Sequence, residues 1–395
     1  MDIAIDVVKG IATFFIHPIV YIGILYALWM GILRVKKERH DFHSRIYDFI
    51  DDVKTTLAGG LLAGLLLSIA LVVAGVVLAP KVLVTIGIIY FLFMLTFQVR
   101  LLSPAYTLPF VVLAMYILDW WKAPFYFFTQ QDLSAMLDWT VNVALLFAVL
   151  LLVEGFLILS SAHKKVSPRI FQGKRGKYVG ALESKRLWLL PLVLVVPSGQ
   201  LPEWLYWPLL SPTVSEGYGV VMVPFFIGFS QLLFSGVASL RTKEIGRKVG
   251  LLGVIVLALV LGAYFYWPLV IVSAAVAIIG REVIFQFYKQ KEKNSPRFFT
   301  PKGEGVVVLG IIPGSSAEKM GLLVGESIVK VNGTAVNSPT TFYEALQRNS
   351  AFCKLEVIDI NGEKRFAQSA LYAGEHYQIG VVFVKEELQL KDSIV

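Results

Sequence analysis

Long apolar runs fill the chain up to Tyr288, and short runs that alternate with polar positions fill the rest. A helix that crosses a bilayer needs about 20 mostly apolar residues. Runs of that order occur at 11–33, 57–79, 82–99, 101–118, 139–159, 187–209, 218–240, 249–267 and 269–288. The pattern predicts an α-helical polytopic membrane bundle of about nine spans, within a range of six to nine. The range reflects three interrupted places. Ser103-Pro104 and Pro109 leave 82–118 open to a tight or partly re-entrant hairpin, and five prolines punctuate 187–216. The last two runs are nearly continuous across Trp267-Pro268, so one bent element is an alternative. The first run reads as a retained span, because Asp2 and Asp6 precede it, it is long, and no small-residue cleavage motif follows.

After Tyr288 the character changes. "KQKEKNSPRFFTPKG" (289–303) reads as a basic juncture and linker, and a small α+β module is predicted over 304–385, followed by a tail, 386–395. Val306 to Ile312 is an apolar run of strand length, and Pro313-Gly314 is a turn. Ser315 or Ser316 caps a short helix that Gly321 stops. A strand over 326–331 leads into the hairpin turn Asn332-Gly333. Ser338 caps a helix with Pro339 in its first turn, and Phe342, Ala345 and Leu346 give it one apolar face. Strands at 353–360 and 364–371 flank an Asn361-Gly362 turn, and "YQIGVVFV" (377–384) comes last.

Composition agrees with a membrane protein. Of 395 residues, 56% are hydrophobic and 16% charged, with a mean hydropathy of +0.69. Soluble chains carry roughly 25% charged residues. The net charge of +8 matters less than its placement. Six basic residues lie in 34–56, eight in 160–186, four in 241–248 and six in 281–303. The intervening loops are nearly bare, and they carry Trp120-Trp121 and Trp204 to Trp207. Basic loops stay inside, so the charge pattern predicts an outer N-terminus and a cytoplasmic C-terminal module. The same loops would attract anionic lipid heads. They sit at helix ends rather than on a stacking platform, so nothing points to nucleic acid. Glu154, Arg281 and Glu282 fall inside apolar runs near the basic ends, a position that favours structural pairing or snorkelling.

The module resembles a bacterial PDZ domain. The resemblance rests on Pro313-Gly314-Ser315-Ser316-Ala317, Gly321-Leu322, Gly325-Glu326-Ser327-Ile328, Val331-Asn332-Gly333 and Val336-Asn337-Ser338-Pro339. It departs at Glu326, where that family most often has Asp. Such a domain adds an extended peptide as a strand beside a helix. The resemblance places the carboxylate loop at Ile379-Gly380-Val381, followed by Val382-Phe383, with Phe342 and Leu346 as groove candidates on the helix or, equally, as core. The chain ends Asp392-Ser393-Ile394-Val395, which resembles a C-terminal ligand for such a groove, its own or a neighbour's. A frayed end is the simpler reading.

Catalytic patterns are missing. No H-E-x-x-H occurs among His17, His40, His43, His163 and His376, and one cysteine, Cys353, excludes an internal disulfide. No phosphate-binding Gly-rich loop is present. Ser230 in "GFSQ" lacks a nearby histidine partner. The sequence therefore predicts no enzyme, metal or cofactor. A polytopic membrane part with one terminal PDZ domain resembles MinJ-type division-site topology proteins over the whole chain. That resemblance implies an adapter, at poles and septa, between a DivIVA-like scaffold and a MinD-like ATPase, with contacts to other division proteins. Two alternatives remain at this point: a PDZ-bearing regulator of intramembrane proteolysis, and a transporter with an appended sensor. Deleting Ile394 and Val395 is expected to leave partner affinity and oligomeric state unchanged, measured by pull-down and light scattering; a shift in either would make the tail a ligand.

Overall fold

A computed structural model describes residues 2–121, 137–173, 178–201, 217–300, 305–349, 352–370 and 379–384. Helices α1 (Asp2–Ile16), α2 (Pro18–Phe42), α3 (Ile50–Gly59), α4 (Leu61–Ala74), α5 (Pro80–Leu95), α6 (Pro104–Trp121) and α7 (Thr140–Ser161) come first. A three-stranded sheet follows: β1 (Ser167–Gln172), β2 (Tyr178–Leu201) and β3 (Tyr218–Leu233). Then come α8 (Ala238–Ala263) and α9 (Leu269–Asn294). Among the described residues, five helical stretches are long and apolar enough to span a membrane: Pro18–Phe42, Ile50–Ala74, Thr140–Ser161, Ala238–Ala263 and Leu269–Asn294.

The expectation of nine helical spans needs correction at two places. The runs 187–209 and 218–240 are not helices. Over its described residues the first belongs to β2, and the second is β3 followed by the start of α8. A run of apolar residues buried on both faces reads alike as strand or helix. The β-branched and aromatic content of "LVLVV" and "VVMVPFFIGF" is what favours a strand, and the prolines inside both runs disfavour a continuous helix. The hairpin enters and leaves at one end of the bundle, so replacing two spans by it preserves the alternation of the remaining ones. Elsewhere the ambiguities resolve. The run 82–118 is two helices, α5 and α6, joined by a 3-10 turn at Val99–Leu102, and α8 and α9 are separate.

The hairpin lies within the apolar core, where Leu187 to Leu194 and Val223 to Phe229 pack against the helices. Its outer edges meet partners from the helices at several positions. On β2, the Ser68 hydroxyl of α4 accepts from Val193 N–H at 2.9 Å, and its one proton faces the Gly64 carbonyl at 2.8 Å and the Pro191 carbonyl at 3.3 Å. Pro191 faces that same edge and has no N–H to satisfy. Leu78 N–H bonds the Val195 carbonyl at 2.9 Å. Gly60 lies so close to the Leu189 carbonyl that a Cβ would overlap it. On β3, Thr13 Oγ1 of α1 donates to the Gly10 carbonyl at 2.5 Å with the Met222 carbonyl as a second acceptor at 3.2 Å, and Pro224, registered opposite Pro191, again removes an outward donor.

Polar side chains bind the helices at fixed points. Arg281 of α9 donates from Nε and Nη2 to Glu154 Oε1 of α7 at 3.1 and 2.9 Å. Ser103, just before α6, donates to the other Glu154 oxygen at 2.5 Å. Glu154 is fully buried and Arg281 nearly so. Beside them Glu282 accepts from Arg100 and Tyr106, both at 2.9 Å. These residues thus form a structural network. At the charged end, buried Glu38 of α2 accepts from Ile46 N–H, Tyr47 N–H and Ser167 Oγ, which fastens the turn after α2 to β1.

The C-terminal module has β4 (Val306–Ile311), α10 (Ser316–Lys319), β5 (Ser327–Val331), β6 (Thr334–Ala335), α11 (Pro339–Gln347), β7 (Phe352–Ile358), β8 (Lys364–Ala370) and β9 (Val381–Phe383). Its strands run in the order β8-β7-β5-β4-β9, with β6 paired to β5. The segment after α9 is packed, not free. Phe299 is fully buried, its carbonyl accepts from Gly180 N–H, and Phe298 N–H bonds the Phe234 carbonyl, each at 2.9 Å. Leu182, Leu233, Phe299, Val307, Leu309 and Val384 form one apolar cluster that seats the module on the hairpin's end.

Removing one partner of a buried ion pair strands the other charge, at about 3 to 5 kcal/mol, whereas replacing both by apolar groups is often neutral. Arg281→Met is therefore expected to lower thermal stability in detergent, and Glu154→Leu combined with it to restore most of the loss. A double variant no better than the single one would show that the pair is not the source.

Candidate peptide-binding groove

The module's core explains its sequence. Val306, Val308, Ile328, Val331, Leu355 and Val357 from the sheet meet Ala317, Phe342, Ala345 and Leu346 from the helices. Cys353 is buried among them, and burial pushes its thiol up to about 12, so it is an inert packing group. Ser338 caps α11 in a reciprocal box with Thr341. Glu326, the departure from the usual Asp, is buried. It accepts from Leu323 N–H at 2.8 Å and binds Arg365 of β8 through two nitrogens, at 2.8 and 2.7 Å. Arg365 also donates to the Gly321 carbonyl at 2.7 Å. The longer side chain thereby ties the loop after α10 to the far strand, and the Glu326 carboxylate holds the Arg365 guanidinium above its ordinary pKa.

Strand β9 pairs antiparallel with β4, with Val308 opposite Phe383 and Ile311 opposite Val381. The loop entering it turns at Gly380, with φ of +87°. A Cβ there would collide with the Ser315 side chain, so both conformation and space demand glycine. The Gly380 carbonyl accepts from Ile312 N–H at 2.8 Å and that of Ile379 from Ala317 N–H at 2.9 Å, which anchors the loop to the start of α10.

Beside β9 lies a cleft of about 210 Å³. Gly380, Val381, Val382 and Phe383 form one wall, and Pro339 and Tyr343 of α11 the other. Three of the sequence candidates do not line it. Ile379, Phe342 and Leu346 are fully buried beneath it, and Phe342 packs its ring on Phe383 at 4.9 Å between centroids. The reason is helical spacing: 342, 345 and 346 share the face that the core takes, and Tyr343 is turned by one residue toward the cleft. Tyr343 was legible only as the aromatic next to that stripe. A second feature had no local signal: Phe42 and Ser44, at the end of α2, also line the cleft. Among the described residues, no three His, Cys, Asp or Glu side chains gather in a metal-binding group.

A membrane-embedded part joined to a seated PDZ fold defines a polytopic protein with a protein-recognition module. The PDZ domain family matches residues 307–359. The chain is 36% identical over 386 residues to the cell division topological determinant MinJ of Bacillus subtilis, covering 97% of this chain and 96% of that one. It is 24% identical over 368 residues to a probable cell division topological determinant MinJ of Lacticaseibacillus paracasei, covering 91% and 93% of the two chains. The chain belongs to the MinJ family.

Truncating a core aromatic costs about 3 to 5 kcal/mol. Phe342→Ala is expected to remove hydrogen-exchange protection from β5 and β7 in the full-length protein, and Tyr343→Ala to leave it largely intact. Equal damage from both would place Tyr343 in the core.

Proposed function

We propose that the chain is a membrane-embedded adapter in division-site selection. Residues 1–288 anchor it, 289–303 join the parts, and the PDZ domain at 304–385 holds partner segments on the cytoplasmic side. Following the family, the partners are a DivIVA-like scaffold and a MinD-like ATPase, brought together at poles and septa along with other division proteins. The observation that carries this reading is the cleft beside β9, walled by both the PDZ domain and the end of α2. A partner strand docked there would touch the module and the anchor at once. The +87° φ at Gly380 and the edge position of β9 suit strand addition. The relatives' names and the basic residues clustered at one end of the bundle support the division role and the cytoplasmic side.

A fluorescent fusion is expected to collect at septa and poles in cells that hold the scaffold and to spread evenly once the scaffold is removed. Gly380→Val in the full chain is expected to lose co-purifying partners while keeping its membrane location. An even membrane signal in both strains would overturn the adapter reading, and altered cleavage of a membrane substrate would favour a role in proteolysis.

A further inference from the structure

We propose that the charged end of the membrane part holds a built site for one anionic phospholipid. The site is a cavity of about 530 Å³ between the 3-10 turn before α6, the ends of β2 and β3, and the last turns of α9. Five cations line it: Arg100, Lys185, Lys289, Lys293 and Arg297. Its two carboxylates are engaged elsewhere. Glu292 is buried and accepts from Phe234 N–H, Ser235 N–H and the Ser235 hydroxyl, with Arg241 at 3.4 Å. Glu183 pairs with Arg169 at 3.5 Å. Arg100 is in turn paired with Glu282 at 2.9 Å, so the positive excess of the cavity rests on Lys185, Lys289, Lys293 and Arg297.

Two of the cations are held in place by aromatic faces. The Arg100 guanidinium lies 4.2 Å from the centre of the Phe285 ring, and Arg297 lies 4.2 Å from that of Phe234. A guanidinium stacked in this way keeps its in-plane donors directed, which suits a phosphate. Phe285, Lys289 and Lys293 recur every four residues along α9, so both ammonium groups share one face. Like charges at that spacing repel, and among the described residues neither lysine sits in an ion pair. One phosphodiester between them would relieve the repulsion and meet the Arg297 guanidinium, with Arg100, held on Glu282, elsewhere in the lining.

The apolar share of the lining selects a lipid over a free anion. Val99 and Leu232 lie among the cations, and Phe97, 53% exposed, lines the cavity as well. Such a floor is poor for a hydrated phosphate and fits the glycerol and first acyl carbons of a phospholipid. The site lies at the end of α9 where the helix turns from apolar to basic, the level at which head groups sit.

The test uses the full chain in nanodiscs and in detergent, with lipid binding read by native mass spectrometry. Each cation near the surface counts about fivefold in attraction to anionic lipid. Lys289→Gln with Lys293→Gln is expected to weaken phosphatidylglycerol binding about 30-fold, leaving phosphatidylcholine unaffected. The control, Arg247→Gln with Lys248→Gln, removes the same charge from exposed positions outside the cavity, where salt screens each contribution, and is expected to lose clearly less than the cavity variant. If the double variant does not fold, Lys293→Gln alone is expected to lose about fivefold. Equal losses in variant and control would reduce the site to diffuse surface charge and overturn it. So would displacement of the lipid by inorganic phosphate, which would mark an anion site with no lipid selectivity. The outcome is separate from the adapter role, because partner pull-downs neither require this cavity nor report on it.

Discussion

A two-stranded ribbon set among membrane helices exposes two rows of peptide groups, and an apolar surrounding offers them no water. Each unsatisfied group there costs several kcal/mol. The membrane part is organised around this demand. The outward row of β2 is met by Ser68, by Leu78 N–H and by the missing donor of Pro191, and the row of β3 by Thr13 and Pro224. Those partners come from α1, α4 and the segment after α4. Their positions are fixed by where the ribbon's carbonyls point, as much as by ridge-and-groove packing. Small residues at the crossings, such as Gly60 against Leu189, let backbones approach closely enough for this to work.

The ribbon also continues past the bundle. Its first residues pair with β1, Glu183 opposite Ser167 and Tyr178 opposite Gln172, and its Gly180 N–H binds the Phe299 carbonyl. The PDZ domain is thus seated on an extension of the same element that the membrane helices enclose. Charged residues reinforce the joint from the side, where Glu38 collects Ser167 and two backbone N–H groups. An anchor with a freely tethered module would need none of these contacts.

How much of this was legible in the sequence depends on which physical signal each element carries. Helices α7, α8 and α9 are long, apolar and bounded by charge, and one feature per segment suffices to find them. The PDZ turns were equally plain, because Asn332-Gly333 and Asn361-Gly362 sit between alternating runs. The ribbon was missed because burial on both faces erases the period of two that marks a strand. Its prolines were visible, but their meaning was not: Pro191 and Pro224 face each other, and only the register shows that both delete outward donors. In the groove, the glycine and the strand after it were readable from local pattern. The helical wall was not, since the residues that repeat every three or four positions belong to the core, and the cleft takes Tyr343 beside them.

The contribution of α2 to the cleft lies beyond any local reading, because Phe42 and Tyr343 are three hundred residues apart and meet only through the seat on the ribbon. It has an energetic consequence. Whatever fills the cleft either packs on Phe42 or displaces it, so the end of α2 contributes differently to the filled and empty states. A difference of that kind is a coupling free energy, and coupling is reciprocal. On the proposed reading of the cleft as a binding groove, any coupling between its occupancy and the position of α2 would act equally in both directions. The joint between anchor and module therefore makes the end of α2 part of the wall of the candidate groove.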